Sequence, residues 1–217
     1  MRFEVKDQLT EDDIQSGLRS FMNDALATQM MNTLTTSTFI VAFALILGAS
    51  NFIIGLVAAI PLLAQLVQIP AIQLVETYRV RRAIYVYAAT TSRVFLLGLV
   101  LIPFLAPFSS ILIVLILILL LRAVFASIST CSWNSWMHDI VPQENLGDFF
   151  SKRMTIATIL AIPLGLTTGF FIDYLNFMSP DIVLFGFSII FLLGFFAGLI
   201  GVYFISKIAE QKIAIPS

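Results

Sequence analysis

The segment CSWNSWMHDIVP, residues 131–142, gathers the only cysteine (Cys131), the only histidine (His138) and both tryptophans (Trp133, Trp136) of the chain. These residue types ligate metals, shuttle protons or act in nucleophilic catalysis, but their number and spacing exclude most of that chemistry. A zinc site needs three or four ligands, and Cys131 and His138 lie nearly two helical turns apart with no further Cys or His available. Acyl hydrolysis needs a base beside the nucleophile and donors for an oxyanion, and no Gly-rich serine motif accompanies the single histidine. A lone cysteine forms no internal disulfide. The sequence therefore predicts no enzyme, no metal and no cofactor. On a helix, Trp133 and Trp136 share one face, as do Asn134 and His138. The segment is either an interfacial aromatic belt with a hydrated end or the mouth of a cavity, with Trp133 and Asn134 facing it; His138 as a proton relay is a further option.

Two arginines raise a sharper question. Arg93 and Arg122 each stand within a long apolar run, about ten residues in and so roughly 15 Å deep at the helical rise. A guanidinium there costs several kcal/mol, about 3 or more, unless it is paired, hydrated or snorkelling. No acidic residue is expected at matching depth: Asp24, Glu76 and Asp139 fall near the cytoplasmic ends of their runs, Asp173 and Asp181 near the outer ends. The partner is then a helix carbonyl, cavity water, a polar side chain such as Gln65, an anionic solute or a residue of another chain. The first run is itself polar: in NDALATQMMNTLTTSTF, Thr28, Asn32 and Thr36 recur at helical spacing with Gln29 beside them, and Gln65 and Gln68 match them on the second run. Lipid penalises such a face, so it meets protein or water. It lines a cavity, or it bonds across helices in plain packing.

The elements that must carry these residues follow from composition. The 217 residues are 59% hydrophobic and 12% charged, with mean hydropathy +0.98, whereas soluble domains carry about 25% charge. Apolar runs of about 20 residues, each long enough to span a bilayer, predict an all-α polytopic integral membrane protein with six transmembrane helices at 20–47, 51–74, 83–104, 109–136, 153–175 and 181–206. Residues 1–19 form an N-terminal tail and 207–217 a C-terminal segment. No cleavable signal peptide is read at the start. Arg2, Lys6, Arg19, Arg79, Arg81, Arg82, Lys152, Arg153, Lys207 and Lys212 fall in alternate connections, and the other connections hold no Lys or Arg. The positive-inside rule then places both termini in the cytoplasm, as an even number of spans requires. A net charge of −1 gives no reason to expect nucleic acid. AIPL occurs at 59–62 and again at 161–164, so Pro61 and Pro163 sit alike in spans two and five and predict matched kinks. Spans 1–3 and 4–6 would then form two inverted three-helix repeats, an arrangement described for transporters.

On these residues the chain resembles the N-terminal half of a major facilitator superfamily transporter. Six spans with both ends inside match one half of a twelve-helix member. QLVETYRVRRAIYV stands where that superfamily has its Gly-x-Leu-Ala-Asp-Arg-x-Gly-Arg-Arg signature: Leu74 matches the Leu, Glu76 stands at the Asp and Arg81 and Arg82 at the basic end, while Ile72 and Arg79 replace the glycines. WMHDIVPQENLGDFFSKR is similar to a loop of bacterial members through Asp139, Val141, Pro142, Gly147, Phe149, Phe150 and Arg153, with Leu146 in place of an Arg. Arg122 stands where the superfamily has an Arg in the fourth helix. The resemblance implies a bacterial cytoplasmic-membrane location and a cytoplasmic gate of Glu76, Arg81, Arg82, Asp139 and Arg153.

The resemblance also implies secondary transport of a small solute by alternating access, with the substrate held between two six-helix bundles. The expected partners are the lipid bilayer, an unspecified small-molecule substrate and a second bundle, supplied by a missing C-terminal half or by a second copy. The alternatives are a non-transporting six-helix scaffold, assembly or regulatory protein, and a homodimeric half-transporter.

Overall fold

A computed structural model describes residues 5–6, 10–78, 80–105, 110–140, 146–208 and 210–211; for 5–6, 138–140, 180–181 and 210–211 it gives the course of the backbone only. Six helical segments are long and apolar enough to cross a bilayer. The first is α1 (Glu11–Leu34) followed by α2 (Ser37–Ile46), and the second is α3 (Asn51–Gln65) followed by α4 (Gln68–Tyr78). The others are single helices: α5 (Arg81–Leu105), α6 (Ile111–Ile140), α7 (Leu146–Met178) and α8 (Pro180–Ser206). A two-residue parallel pairing sets Val5–Lys6 (β1) beside Glu210–Gln211 (β2).

The first helix starts well before its apolar run because its N-terminus is capped. Thr10 accepts from the Asp13 backbone N–H at 3.2 Å, and the Asp13 carboxylate accepts from the Thr10 N–H. This reciprocal arrangement satisfies two of the orphan donors at a helix start. The capped start at Glu11 carries Asp24 about three and a half turns into α1, level in turn count with Arg93 in α5. The polar first turns of α1 thus belong to the same helix as the apolar ones, and Asp24 lines the same cavity as Arg93 and Arg122.

Both interrupted spans have local causes. At Thr35 the side chain donates to the Met31 carbonyl at 2.8 Å, a β-branched residue bonding back on its own turn, and the chain restarts from Thr36 as the N-cap of α2. In the second span the turn at Leu66–Val67 lies four residues before Pro70, which has no N–H for the Leu66 carbonyl; Ile69 bonds that carbonyl instead, at 3.2 Å. The helices run unbroken through Pro61 and Pro163. After α2, Gly48 takes φ +84°. Its N–H reaches the Leu45 carbonyl and that of Ala49 reaches the Ala44 carbonyl, both at 2.9 Å, a Schellman closure that favours glycine.

In the bundle α5 packs along α6 and α8, α1 along α8 and α7, and α3 and α4 against α6. Gly194, Gly198 and Gly201 form the α8 face that admits α1 and α5. A Cβ at Gly198 would lie 2.6 Å from Met31 Sδ and 2.8 Å from Arg93 Cγ, and one at Gly201 would lie 2.8 Å from Asp24 Oδ1. Small residues permit such approach where no water-driven hydrophobic force acts between helices. Two apolar clusters result. One holds Leu34, Phe43, Leu96, Leu99, Phe187 and Phe191, the other Phe21, Tyr85, Ala89, Trp136, Met137 and Ile205. Along α1, α5 and α6 the polar residues of interest fall between the two.

Candidate polar cavity

Between the two clusters lies a polar cavity of about 470 Å³. α1 supplies Asp24, Thr28, Met31 and Asn32; α3 and α4 supply Pro61, Gln65 and Gln68 across the Leu66–Val67 turn. α5 adds Tyr85, Ser92 and Arg93, α6 adds Arg122, Ser127, Ser129, Thr130, Trp133 and Asn134, and α7 adds Arg153. Asn32, Gln65, Thr130 and Asn134 are exposed, so the cavity opens along their side. Asp24 is 1% exposed and Arg93 5%, so the opposite wall is deep.

The charged groups are held in different ways. Arg93 is tied to backbone: its Nε donates to the Gly198 carbonyl at 3.2 Å and its Nη1 to the Ala89 carbonyl at 3.0 Å. Gly198, lacking a side chain, lets α8 come close enough for the first bond. Arg122 Nη2 donates to Thr35 Oγ1 at 3.0 Å, at the break in the first span, while Ser92 Oγ donates to the Arg122 carbonyl at 3.0 Å and ties α5 to α6. Asp24 accepts from Thr28 Oγ1 at 2.9 Å. Arg153 Nη2 stands 3.8 Å from Asp24 Oδ2, and its guanidinium lies 4.5 Å from the centre of the Trp133 ring, within cation–π range. Phe21 and Phe150 meet the same ring edge-on at 6.0 and 6.5 Å. Charges this far from bulk water interact more strongly than surface ones.

Of the residues singled out in the sequence, the cavity unites Thr28, Asn32, Gln65, Gln68, Arg93, Arg122, Trp133 and Asn134, and adds Pro61 and Arg153. Gln29 and Thr36 stay outside its lining: Gln29 Nε2 donates to Thr33 Oγ1 at 3.4 Å, and Thr36 stands at the N-cap position of α2 without a side-chain capping bond. Of the expected gate residues, the structure places the following. Arg153 turns into the cavity. Arg81 Nη1 donates to the Ser135 carbonyl at 3.1 Å, and its own carbonyl accepts from Ser132 Oγ at 2.7 Å. Arg82 Nη1 donates to the Ile208 carbonyl at 2.8 Å, and Glu76 is exposed on α4. Arg79, Val141 and Pro142, and the side chains of His138 and Asp139, lie outside the described residues. Among the described residues no group of three His, Cys, Asp or Glu side chains is placed to hold a metal.

Sequence reasoning missed Asp24, Tyr85 and the glycine face. The Thr10-to-Asp13 capping pattern and the spacing of Gly194, Gly198 and Gly201 were the available signals. A larger hollow of about 710 Å³ between α1, α7 and α8 is lined by Leu26, Met30, Leu164, Phe171, Ile189 and Leu193 among others. Its Thr167 and Thr168 hydroxyls already donate to helix carbonyls, so its chemistry is that of a lipid-facing groove. Compared with known proteins, the chain matches no family model, no curated protein and no solved structure.

Proposed function

We propose that this chain is one six-helix bundle of a secondary transporter of the major facilitator type, moving a small solute by alternating access. The observation that carries the reading is the cavity itself. Three arginines, one carboxylate and several amides and hydroxyls converge between apolar clusters in a chain of six membrane-length helices. Ionisable groups at such depth are expensive and tend to mark solute pathways. Irregular backbone inside a membrane is tolerated where it is buried in protein or lines a cavity, and the Leu66–Val67 and Thr35–Thr36 interruptions both border this one.

The inverted three-helix repeat is supported by the helix pairing. Exchanging spans 1, 2, 3 with 4, 5, 6 turns the α5–α6 contact into the α8–α1 contact, and the α1–α7 contact into that of α6 with α3 and α4. Spans two and five, equivalent under that exchange, are also the least buried, at 17% and 11%. They flank the open side of the cavity, where a second bundle would close it. The pairing of β1 with β2 sets Val5–Lys6 beside Glu210–Gln211, in keeping with both segments lying on the basic, cytoplasmic side, here of a bacterial inner membrane.

The test is exchange in proteoliposomes loaded with a small-metabolite extract, each component followed by mass spectrometry. The reading expects one component to cross with the native chain and its partner bundle, and to stop crossing with Arg122→Ala, while circular dichroism and detergent stability hold. Equal passage through the native and Arg122→Ala proteins refutes it.

A further inference from the structure

The cavity is rich in donors and positive charge, and this points to the class of solute. Resting on the reading of the cavity as a solute site, we propose that it takes a small organic anion bearing a carboxylate or phosphoryl group, and that Asp24 is the internal counter-ion which the solute displaces from Arg153.

Four observations carry this. Among the described residues, Arg93, Arg122 and Arg153 line the cavity against one carboxylate, that of Asp24, a formal excess of two positive charges. Arg93 gives its Nε and Nη1 to helix carbonyls, neutral groups that hold the guanidinium in place without cancelling its charge, and it shares the Asp24 carboxylate's field with Arg153. The pair between Arg153 and Asp24, at 3.8 Å, is looser than the roughly 2.8 Å of a charge-assisted hydrogen bond, so a better-placed anion can replace it. Two buried donors in the wall, Arg153 Nε and Trp133 Nε1, have no hydrogen-bond partner among the described residues. Buried donors are normally satisfied, and the two belong to one stacked pair: Nε1 is part of the indole over which the Arg153 guanidinium sits at 4.5 Å. A solute that supplies acceptors and negative charge there meets each deficit at once. A cationic solute would meet neither, and would have only Asp24 to pair with.

Trp133 is a built-in reporter of the sign of this field, because Trp136, the other tryptophan of the chain, is fully buried. The experiment is collisional quenching of tryptophan fluorescence in the full chain held in nanodiscs. Iodide is the anionic probe, caesium the cationic probe and acrylamide the neutral one, each normalised to its quenching of free N-acetyltryptophanamide. With two excess charges in or beside the cavity and physiological screening, iodide should exceed caesium by about fivefold. Asp24→Asn should raise the iodide constant further, about twofold, because the isosteric amide removes the competing charge. Arg122→Gln should lower it, and Trp133→Phe should remove the quenchable fraction. Equal quenching by the two ions, or caesium ahead, overturns the anion assignment while leaving transport itself standing. An iodide constant unchanged by Asp24→Asn overturns the counter-ion role. Failure of acrylamide to quench overturns the cavity as a place a solute can reach. No exchange by the native protein in proteoliposomes, with the iodide preference present, would instead refute transport and keep the anion site.

Discussion

Replacing Gly198 by alanine tests whether the approach of α8 to Arg93 is as tight as the structure has it. The added Cβ would sit 2.6 Å from Met31 Sδ, 2.8 Å from Arg93 Cγ and 3.3 Å from Arg93 Nε. The thioether is flexible and swings aside at little cost. Arg93 is not free to do so, because its guanidinium is tied to the carbonyls of Gly198 and Ala89. Either α8 retreats by several tenths of an ångström or one of those bonds is given up. Overpacking of this kind costs about 1–3 kcal/mol, and alanine returns about 1 kcal/mol through its better helix propensity. The net expectation lies between no change and a loss of about 2 kcal/mol. Gly55→Ala is the control: nothing lies within 4 Å of its added Cβ, so the propensity gain stands alone and the protein should be stabilised by about 0.5–1 kcal/mol. Reversible unfolding in mixed micelles of rising SDS fraction measures both. In an Arg93→Ala background the Gly198 substitution meets only the movable sulfur, so the double-mutant cycle should show about 1 kcal/mol of coupling. Equal stabilisation by Gly198→Ala and Gly55→Ala, or a cycle that closes to zero, would refute the claim that this close approach is what holds Arg93 in place.

Two further substitutions follow from the same geometry. Arg153→Gln leaves the buried Asp24 carboxylate without its α7 partner and should cost about 2 kcal/mol in the same titration, with Asp24→Asn in that chain restoring most of it; a double variant no more stable than the single one would contradict the pairing. Gly48→Ala forces a side chain into the φ +84° conformation and should cost about 1 kcal/mol, seen as faster amide exchange at Gly48 and Ala49, whose N–H groups close the end of α2.

The six spans were legible because hydrocarbon-length apolar runs have little else they can be. The depth of Arg93 and Arg122 followed from counting residues along those runs. The helix starts were less legible. Glu11 to Ser20 is polar and falls outside any apolar run, yet a capping box extends the helix through it, and that extension decides the position of Asp24. The break in the second span was not legible from Pro61, which lies inside a continuous helix: it is set by Pro70 acting four residues back. The meeting of Arg153 with Asp24 and Trp133 joins α7, α1 and α6, and no local pattern encodes which helices become neighbours. Helix carbonyls were one of the partners open to Arg93, and it bonds two of them, but choosing them required knowing that Gly198 would stand opposite.

The hydroxyl of Thr35 donates to Met31 on one side and accepts from Arg122 on the other, so the joint in the first span and the guanidinium of α6 share one hydrogen-bonded chain. Beyond that joint α2 is a lever of ten residues, about 15 Å long at the helical rise, and each 10° of rotation sweeps its far end by about 2.5 Å. Phe43 anchors that lever to α8 through Phe187 and Phe191, at 5.3 Å each. Arg122 and the aromatic contacts of Phe43 therefore act on the two ends of one short segment: the first at the joint, the second along the arm.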